Sequence, residues 1–236
     1  PFLVLYFALA VQTGLAQNTY VPDNNFEQAL IDLNYDNTLD DSVLTANISG
    51  VTSLDINNEG ISDLTGIEAF TALTELRCWS NQLTSLDVSS NTALTELYCQ
   101  SNVPGITSLN VSTNTALTDL NCMGNQLTSL NVTSNTALTE LRCSHNGITS
   151  LDVSNNTALD YLDCINNQLT TLDVSANTAL TNFYCINNQL TTLDVSNNTA
   201  LTDFNCSSNQ LTTLELSNNT ALTNLGCYSN QLTSLD

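Results

Sequence analysis

The sequence predicts a repeat solenoid: a β-rich right-handed coil with two parallel sheets of short strands and few or no convex helices. Three observations support this fold class. From Leu73 onward the chain repeats every 21 residues, with a single step of 23. Each copy alternates apolar and polar residues twice, first around Leu76 and Cys78 and then around Leu86 and Val88. No copy contains a helical pattern. Repeats of this kind stack so that each coil packs only on its neighbours.

Each copy consists of two similar half-repeats. The first reads L-x-x-L-x-C-x-x-N, and the second reads L-x-x-L-x-V-x-x-N. Period-two alternation predicts one short strand per half-repeat, with Leu, Cys and Val facing inward and successive coils ~4.8 Å apart. Phe183 and Phe204 replace Leu in two copies.

Asparagine closes each half-repeat, and an inward amide can satisfy turn backbone because it both donates and accepts hydrogen bonds. The first column is Asn81, Asn102, Asn125, Asn146, Asn167, Asn188, Asn209 and Asn230. The second column is Asn91, Asn114, Asn135, Asn156, Asn177, Asn198 and Asn219. Both columns are predicted to be structural.

One cysteine marks each copy at the same inward position. The eight are Cys78, Cys99, Cys122, Cys143, Cys164, Cys185, Cys206 and Cys227. Neighbouring Cα atoms would be close enough for a disulfide, but parallel Cβ vectors give a poor torsion. We therefore expect eight unpaired, buried thiols. Zinc binding is the weaker alternative, because no Cys-x-x-Cys or Cys/His cluster is present.

The motif L-x-x-L-x-C-x-x-N-x-L resembles the leucine-rich repeat, and its nested 21-residue form is similar to the bacterial IRREKO-type subclass. Residues 51–72 resemble an internalin-like leading repeat. Residues 20–44 resemble the N-terminal cap of exported Bacteroidota-type repeat proteins, with Asp23 as candidate N-cap and Phe26, Leu30 and Leu33 on one helical face. The resemblance implies a secreted or surface-attached bacterial binding protein and indicates no particular ligand.

The expected organisation has three parts. Residues 1–16 are predicted to be the remnant of a secretory signal peptide, because PFLVLYFALAV is apolar and Gly14-Leu15-Ala16 suits cleavage. A buried apolar strand is the alternative. Residues 17–50 are expected to form a cap with one helix. Residues 51–236 form the repeat array, which we expect to be truncated at its C-terminal end within a longer extracellular protein.

The charge is strongly acidic. The formal net charge is −21, and Arg77 and Arg142 are the only lysine or arginine residues. Such a surface repels phosphates and anionic headgroups, which argues against nucleic-acid partners and against direct membrane insertion of the mature array. No catalytic constellation is visible, so we expect neither enzymatic activity nor a cofactor. The acidic column around Asp152 and Asp173 is expected to hold a diffuse ion atmosphere; a defined Ca²⁺ site is the alternative.

Comparison of the copies separates the two half-repeats. The outward residues of the second half-repeat are nearly uniform, whereas those flanking the cysteines vary and include the only Trp, the only Met, both Arg and four of the seven Tyr. This composition is typical of binding hot spots, and neutral variation is the alternative. The predicted ligand-binding residues are Arg77, Trp79, Tyr98, Met123, Arg142, Tyr161, Ile165, Tyr184, Ile186 and Tyr228. No metal-binding residue is predicted.

The favoured function is therefore a binding or adhesion module for a protein or carbohydrate ligand. One alternative is a structural spacer or a solenoid that self-associates end to end. Ice binding is a further alternative, based on Thr columns such as Thr92 and Thr115, although the outward Asp column interrupts them. The insertion Val103-Pro104-Gly105 predicts a protruding loop beside the variable face, and it is either a neutral insertion or part of a site.

Overall fold

The computed structural model describes residues 17–234, so the predicted signal peptide of residues 1–16 lies outside the described part. The chain begins with β1 (Asn18–Tyr20), α1 (Asn24–Asp32), β2 (Ser42–Leu44) and α2 (Thr45–Ile48). Strands β1 and β2 pair antiparallel. None of the helices within residues 17–234 is long and apolar enough to cross a membrane.

Asp23 and Phe26 fix helix α1 to the repeat array. Asp23 is the N-cap, and one of its oxygens accepts hydrogen bonds from the backbone of Asn25 and Phe26. Its other oxygen accepts from the backbone N–H groups of Ser62 and Asp63 and from the Ser62 hydroxyl. Phe26 is fully buried and stacks on Phe70 at 6.4 Å between centroids. Asp23 therefore holds both the helix and the first repeat turn.

The predicted inward helical face is correct for Phe26 and Leu30, which are fully buried, and wrong for Leu33. Leu33 is the C-cap and is 39% exposed, because the helix ends one residue before it and the chain turns away. A second feature of the cap was not predicted. Glu27 is fully buried, and its Oε1 accepts hydrogen bonds from the backbone of Asp40 and Ser42. It thereby supports the loop that leads into β2.

The repeat array forms a nine-stranded parallel sheet in which sequential strands are neighbours. Its strands are β3 (Ser53–Asp55), β4 (Glu75–Arg77), β5 (Glu96–Tyr98), β6 (Asp119–Asn121), β7 (Glu140–Arg142), β8 (Tyr161–Asp163), β9 (Asn182–Tyr184), β10 (Asp203–Asn205) and β11 (Asn224–Gly226). A 3-10 turn (Ile67–Ala69) follows β3. The register keeps equivalent residues opposite each other, as in Leu120 beside Leu141. The predicted β-rich solenoid with very few helices is confirmed.

The second half-repeat is extended, but the second parallel sheet predicted for it does not form as a continuous ladder. Among the described residues it contributes only two isolated bridges, Leu86 to Leu109 and Asn110 to Asn131. Period-two alternation requires only an extended backbone, which need not pair with its neighbour. In several copies the outward Asp forms an Asx turn by accepting a hydrogen bond from the backbone two residues on, as Asp152 does from Ser154 at 2.9 Å. A further turn, closed by Asn156 N–H to Val153 O, follows directly and keeps the extended stretch short.

The core lies between the two half-repeats and consists of Leu, Cys and Val. Phe183 and Phe204 stack within it at 5.4 Å. All eight cysteines are unpaired, and seven are buried, which confirms the prediction except at Cys227, where the thiol is partly exposed. Burial raises the pKa of the Cys78 thiol to about 12. Burial raises the pKa of the other six buried thiols as well, so these seven are protonated and act as small apolar groups.

The two asparagine columns hold successive coils together in different ways. In the first column, Asn125 accepts from the backbone of Ile106 and donates to the carbonyls of Cys99 and Cys122. In the second, the fully buried Asn135 donates to the carbonyls of Val111 and Asn114. Equivalent bonds recur along each column, except that Asn102, beside the inserted loop, donates only to the carbonyl of Cys99. The structural assignment of both columns is confirmed.

Candidate binding face

The outer face of strands β4–β11 consists of three columns of side chains. The first column is Glu75, Glu96, Asp119, Glu140, Tyr161, Asn182, Asp203 and Asn224. The middle column is Arg77, Tyr98, Asn121, Arg142, Asp163, Tyr184, Asn205 and Gly226. The third column is Trp79, Gln100, Met123, Ser144, Ile165, Ile186, Ser207 and Tyr228. We call these three columns together the variable face. Strand pairing places the first two in register, and backbone bonds such as His145 N–H to Ile165 O continue the register through the third.

Arg77 is engaged within the face. Its Nη2 lies 2.5 Å from Glu75 Oε1, and its Nη1 lies 3.8 Å from Asp55 Oδ2. Its guanidinium also stands 5.6 Å from the centre of the Tyr98 ring. The side chain is nearly half exposed, so the ion pairs hold its orientation while contributing little to stability.

Tyr98 joins two carboxylates of neighbouring coils. Its hydroxyl lies 3.0 Å from Glu96 Oε2 and 2.9 Å from Asp119 Oδ2. Burial and the adjacent Asp119 raise the pKa of Tyr98 well above its ordinary value. Burial also raises the pKa of Asp119, although hydrogen bonding from Tyr98 and the charge of Arg142 oppose the shift. The hydroxyl thus separates two like charges that the parallel register places side by side.

Arg142 closes this network. Its Nη1 lies 3.2 Å from Asp119 Oδ1, and its Nη2 pairs with Glu140. The guanidinium covers the Tyr161 ring at 4.5 Å. Glu75 and Glu140 thus occupy the two arginines. Neither guanidinium therefore has an unoccupied pair of N–H donors for a carboxylate ligand.

The C-terminal part of the face carries aromatic and apolar side chains beside Asp163 and Asp203. The Tyr161 and Tyr184 rings lie 5.6 Å apart at 58°, and the Tyr184 hydroxyl accepts from Asn182 at 3.2 Å. In the third column, Ser144 and Ser207 are only 1% and 0% exposed. The surface of that column therefore comes mainly from its larger side chains.

The structure brings all ten predicted residues to one face. Trp79, Met123, Ile165, Ile186 and Tyr228 stand in the third column, and of these Tyr228 is 66% exposed. Arg77, Tyr98, Arg142 and Tyr184 stand in the middle column, and Tyr161 stands in the first. From Trp79 to Ile186 they occupy every coil, and strand β10, which contributes none of them, separates this strip from Tyr228. The strip does not surround a cavity.

Shallow grooves lie elsewhere, along the outward side of the second half-repeats, and the sequence analysis did not predict them. A groove of about 800 Å³ is lined by Thr171, Asp173, Thr192, Asp194 and Thr213 among others. Asp173 and Asp194 in this groove are held in Asx turns, and hydrogen bonds from Ser175 lower the pKa of Asp173. Within residues 17–234 no group of three His, Cys, Asp or Glu side chains is placed to hold a metal ion.

His145 adjoins the variable face, and both of its ring nitrogens lie 3.1 Å from Asn166 Nδ2. Val103 in the inserted loop is 73% exposed, as expected for a protruding turn. The residue after each third-column position has a left-handed backbone. This column, which the sequence analysis missed, includes Ser80, Ser101, His145, Asn166, Asn187, Ser208 and Ser229, with φ from 51° to 58°. From Asn58 onward this column contains only Ser, Asn, His or Gly. Because Asn, His and Gly favour a left-handed backbone, the composition of the column could have indicated this conformation.

Comparison with known proteins agrees with this geometry. A family model for the Endo-beta-N-acetylglucosaminidase EndoS LRR domain matches residues 47–156, and a model for Leucine Rich repeats (2 copies) matches residues 136–177. The matched residues 47–177 are leucine-rich repeats. The solenoid has an internalin-like fold.

The relatives include several internalins of Listeria monocytogenes. Internalin J is 44% identical over 75 residues, which are 32% of this chain and 8% of that protein. The solved functional domain of InlJ, which includes a cysteine ladder, has a TM-score of 0.62 and 36% identity over 94% of this chain and 59% of that chain. Internalin C2 has a TM-score of 0.73 and covers 94% of this chain and 99% of its own, but at 24% identity it shows the fold alone. The chain thus spans only part of the length of the InlJ relatives.

Proposed function

We propose that this chain is a secreted or cell-surface binding module, without catalytic activity, that recognises a protein or glycan through the variable face. The supporting observation is the contrast between two outward surfaces of one solenoid. The uniform surface has its Asp and Ser side chains committed to Asx turns. The variable face differs from copy to copy and contains the only Trp and the only Met. Fold requirements do not explain that variation.

Contacts within the face favour binding because they hold large side chains in fixed positions. Arg142 covers Tyr161, and Tyr161 in turn contacts Tyr184. Side chains that are already ordered lose less entropy when a partner docks. Aromatic and Arg residues are also those that dominate interface energies when they are buried by a partner.

The cellular context follows from the same proposal. The internalin relatives support a module displayed outside a bacterial cell, and the apolar residues 1–16 suit an export signal. We place the cap in residues 17–50 and the array in residues 51–236. The nested 21-residue repeat fits the IRREKO-type subclass, and the cap fits a Bacteroidota-type origin.

A binding screen tests the proposal. Immobilised extracellular proteins and a glycan array are probed with the protein and with the variants Trp79→Ala and Tyr184→Ala. The control is Thr171→Ala/Thr192→Ala, which truncates exposed side chains of the opposite half-repeat. We expect each aromatic variant to weaken a specific interaction by about tenfold or more, at roughly 1–3 kcal/mol for a buried hot spot. Equal binding by the aromatic variants and the control contradicts the proposal, provided that all variants unfold at similar temperatures.

A further inference from the structure

We infer that the variable face binds a basic, amphipathic protein segment. This inference rests on the proposed function and specifies its partner. On strands β4–β10 the face carries six carboxylates against two guanidinium groups. The carboxylates are Glu75, Glu96, Asp119, Glu140, Asp163 and Asp203. A partner that approaches this face meets a net negative potential, which favours cationic side chains.

The ion pairs within the face leave some of its carboxylates without a cationic partner. Both arginines are already paired with Glu75, Asp119 and Glu140. Among the described residues, Asp163 and Asp203 have no cationic partner. Asp163 Oδ1 accepts from the backbone of Ile165 at 3.0 Å, and Asp203 Oδ1 accepts from the Asn224 amide at 3.1 Å. These two carboxylates are therefore positioned by neutral donors and form no ion pair within the face, so they are available to an incoming Lys or Arg.

The variable face also has an apolar edge, which is formed by its third column. The third column presents Trp79, Met123, Ile165 and Ile186, while Ser144 and Ser207 are covered. The first and third columns stand four residues apart, or roughly 13 Å at about 3.3 Å per residue. From Trp79 to Ile186 the edge extends roughly 24 Å at about 4.8 Å per coil. A helix of about 16 residues and about 10 Å in diameter matches both dimensions.

The occupant that fits is thus a helical segment with Lys or Arg along one side and apolar residues along the other. An acidic segment is repelled by the unpaired carboxylates. A neutral glycan would satisfy the aromatic side chains and leave the carboxylates without a counter-charge, so its binding would depend little on salt.

A charge-matched pair of double variants tests the inference. Asp163→Asn/Asp203→Asn removes two charges from the variable face, where Asn121 and Asn182 already occupy equivalent positions. Asp173→Asn/Asp194→Asn removes two charges from the opposite half-repeat, where Asn110 and Asn131 are the equivalents. Both variants have the same net charge and keep the local acceptor oxygen. Any difference in affinity between the two variants therefore comes from the variable face and not from net charge.

The probe is a synthetic 18-residue helical peptide of Lys and Leu, with a Glu and Leu peptide as its counterpart. We expect the variable-face pair to weaken Lys/Leu binding roughly three- to tenfold, and the control pair to change it less than about twofold. Binding should also fall as salt increases, and the Glu/Leu peptide should not bind. Equal losses for both pairs would show attraction to overall charge only and would overturn the inference, as would binding that is insensitive to salt.

The proposed function and this inference can fail separately. The partner found in the binding screen is measured against Trp79→Ala and against the Asp163→Asn/Asp203→Asn pair. Loss with both variants supports the inference. Loss with Trp79→Ala alone leaves the variable face as a binding surface and overturns the basic partner. Loss with neither variant contradicts both.

Discussion

Replacement of Asn135 should show how strongly the buried asparagine column stabilises the solenoid. Its Nδ2 donates to Val111 O at 2.9 Å and to Asn114 O at 2.8 Å. Each carbonyl keeps one backbone bond, from Asn114 N–H and Leu117 N–H respectively. Asn135→Ala therefore removes two buried bonds without leaving either carbonyl unpaired. At about 0.5–1.5 kcal/mol for each bond, the free energy of unfolding should fall by about 1–3 kcal/mol.

Asn135→Asp should cost more, about 3–5 kcal/mol at neutral pH, because it places a buried carboxylate against two carbonyl oxygens without a donor. Burial raises the folded-state pKa of such a carboxyl above its unfolded value of about 3.9. The resulting loss of stability is complete above the raised folded-state pKa. It should therefore shrink as the pH falls from that value towards the unfolded-state pKa. The matched control is Asn131→Asp, which makes the same change at an exposed position where Asp152 is the equivalent.

Urea unfolding followed by circular dichroism measures these effects. The unfolding midpoint and the number of transitions are compared at pH 7 and pH 4.5, because repeat arrays can lose cooperativity when one coil is weakened. We expect Asn131→Asp to change the free energy of unfolding by less than about 0.5 kcal/mol. Equal midpoints for Asn135→Ala, Asn135→Asp and Asn131→Asp would refute the structural assignment of this column.

Two further predictions concern the thiols and the cap. Without reductant, a thiol reagent should titrate eight cysteines in denaturant. In the native protein at pH 8, only the partly exposed Cys227 should react quickly. Titration of fewer than eight cysteines in denaturant would contradict the assignment of all eight as unpaired. Asp23→Ala should lower the free energy of unfolding by about 1–2 kcal/mol, measured by thermal unfolding, because it removes the N-cap bonds. Burial alone would raise the pKa of Asp23, but hydrogen bonds from Ser62 and Phe26 hold it below its ordinary value. The stability that Asp23 contributes should therefore be present above pH about 4 and be lost as the pH falls through the folded-state pKa. An Asp23→Ala variant as stable as the parent at pH 7 would contradict this account of the cap.

The inward side of the solenoid was predictable because repetition makes its requirements visible. Leucine, cysteine and asparagine recur at positions that the structure shows to be buried, as in Leu141, Cys143 and Asn156. The second sheet was predicted incorrectly, since alternation identifies an extended strand but not whether its backbone pairs.

The site was predictable in its location but not in its electrostatics. Alternation along each strand places Trp79 and Tyr184 on the outer side. It does not show that Arg142 pairs with Asp119 of the preceding coil, because this contact depends on which way a long side chain turns. Similarly, Leu33 follows the helical period of α1 and is nevertheless exposed, because the helix ends before it.

The most direct test of the variable face uses its single Trp and single Met as built-in probes. The partner from the binding screen is titrated into the protein while Trp79 fluorescence is recorded, and oxidative labelling is then measured by mass spectrometry with and without the partner. The account predicts saturable fluorescence change together with protection of Trp79, Met123 and Tyr184. Saturable binding that leaves all three as reactive as in the free protein would contradict it.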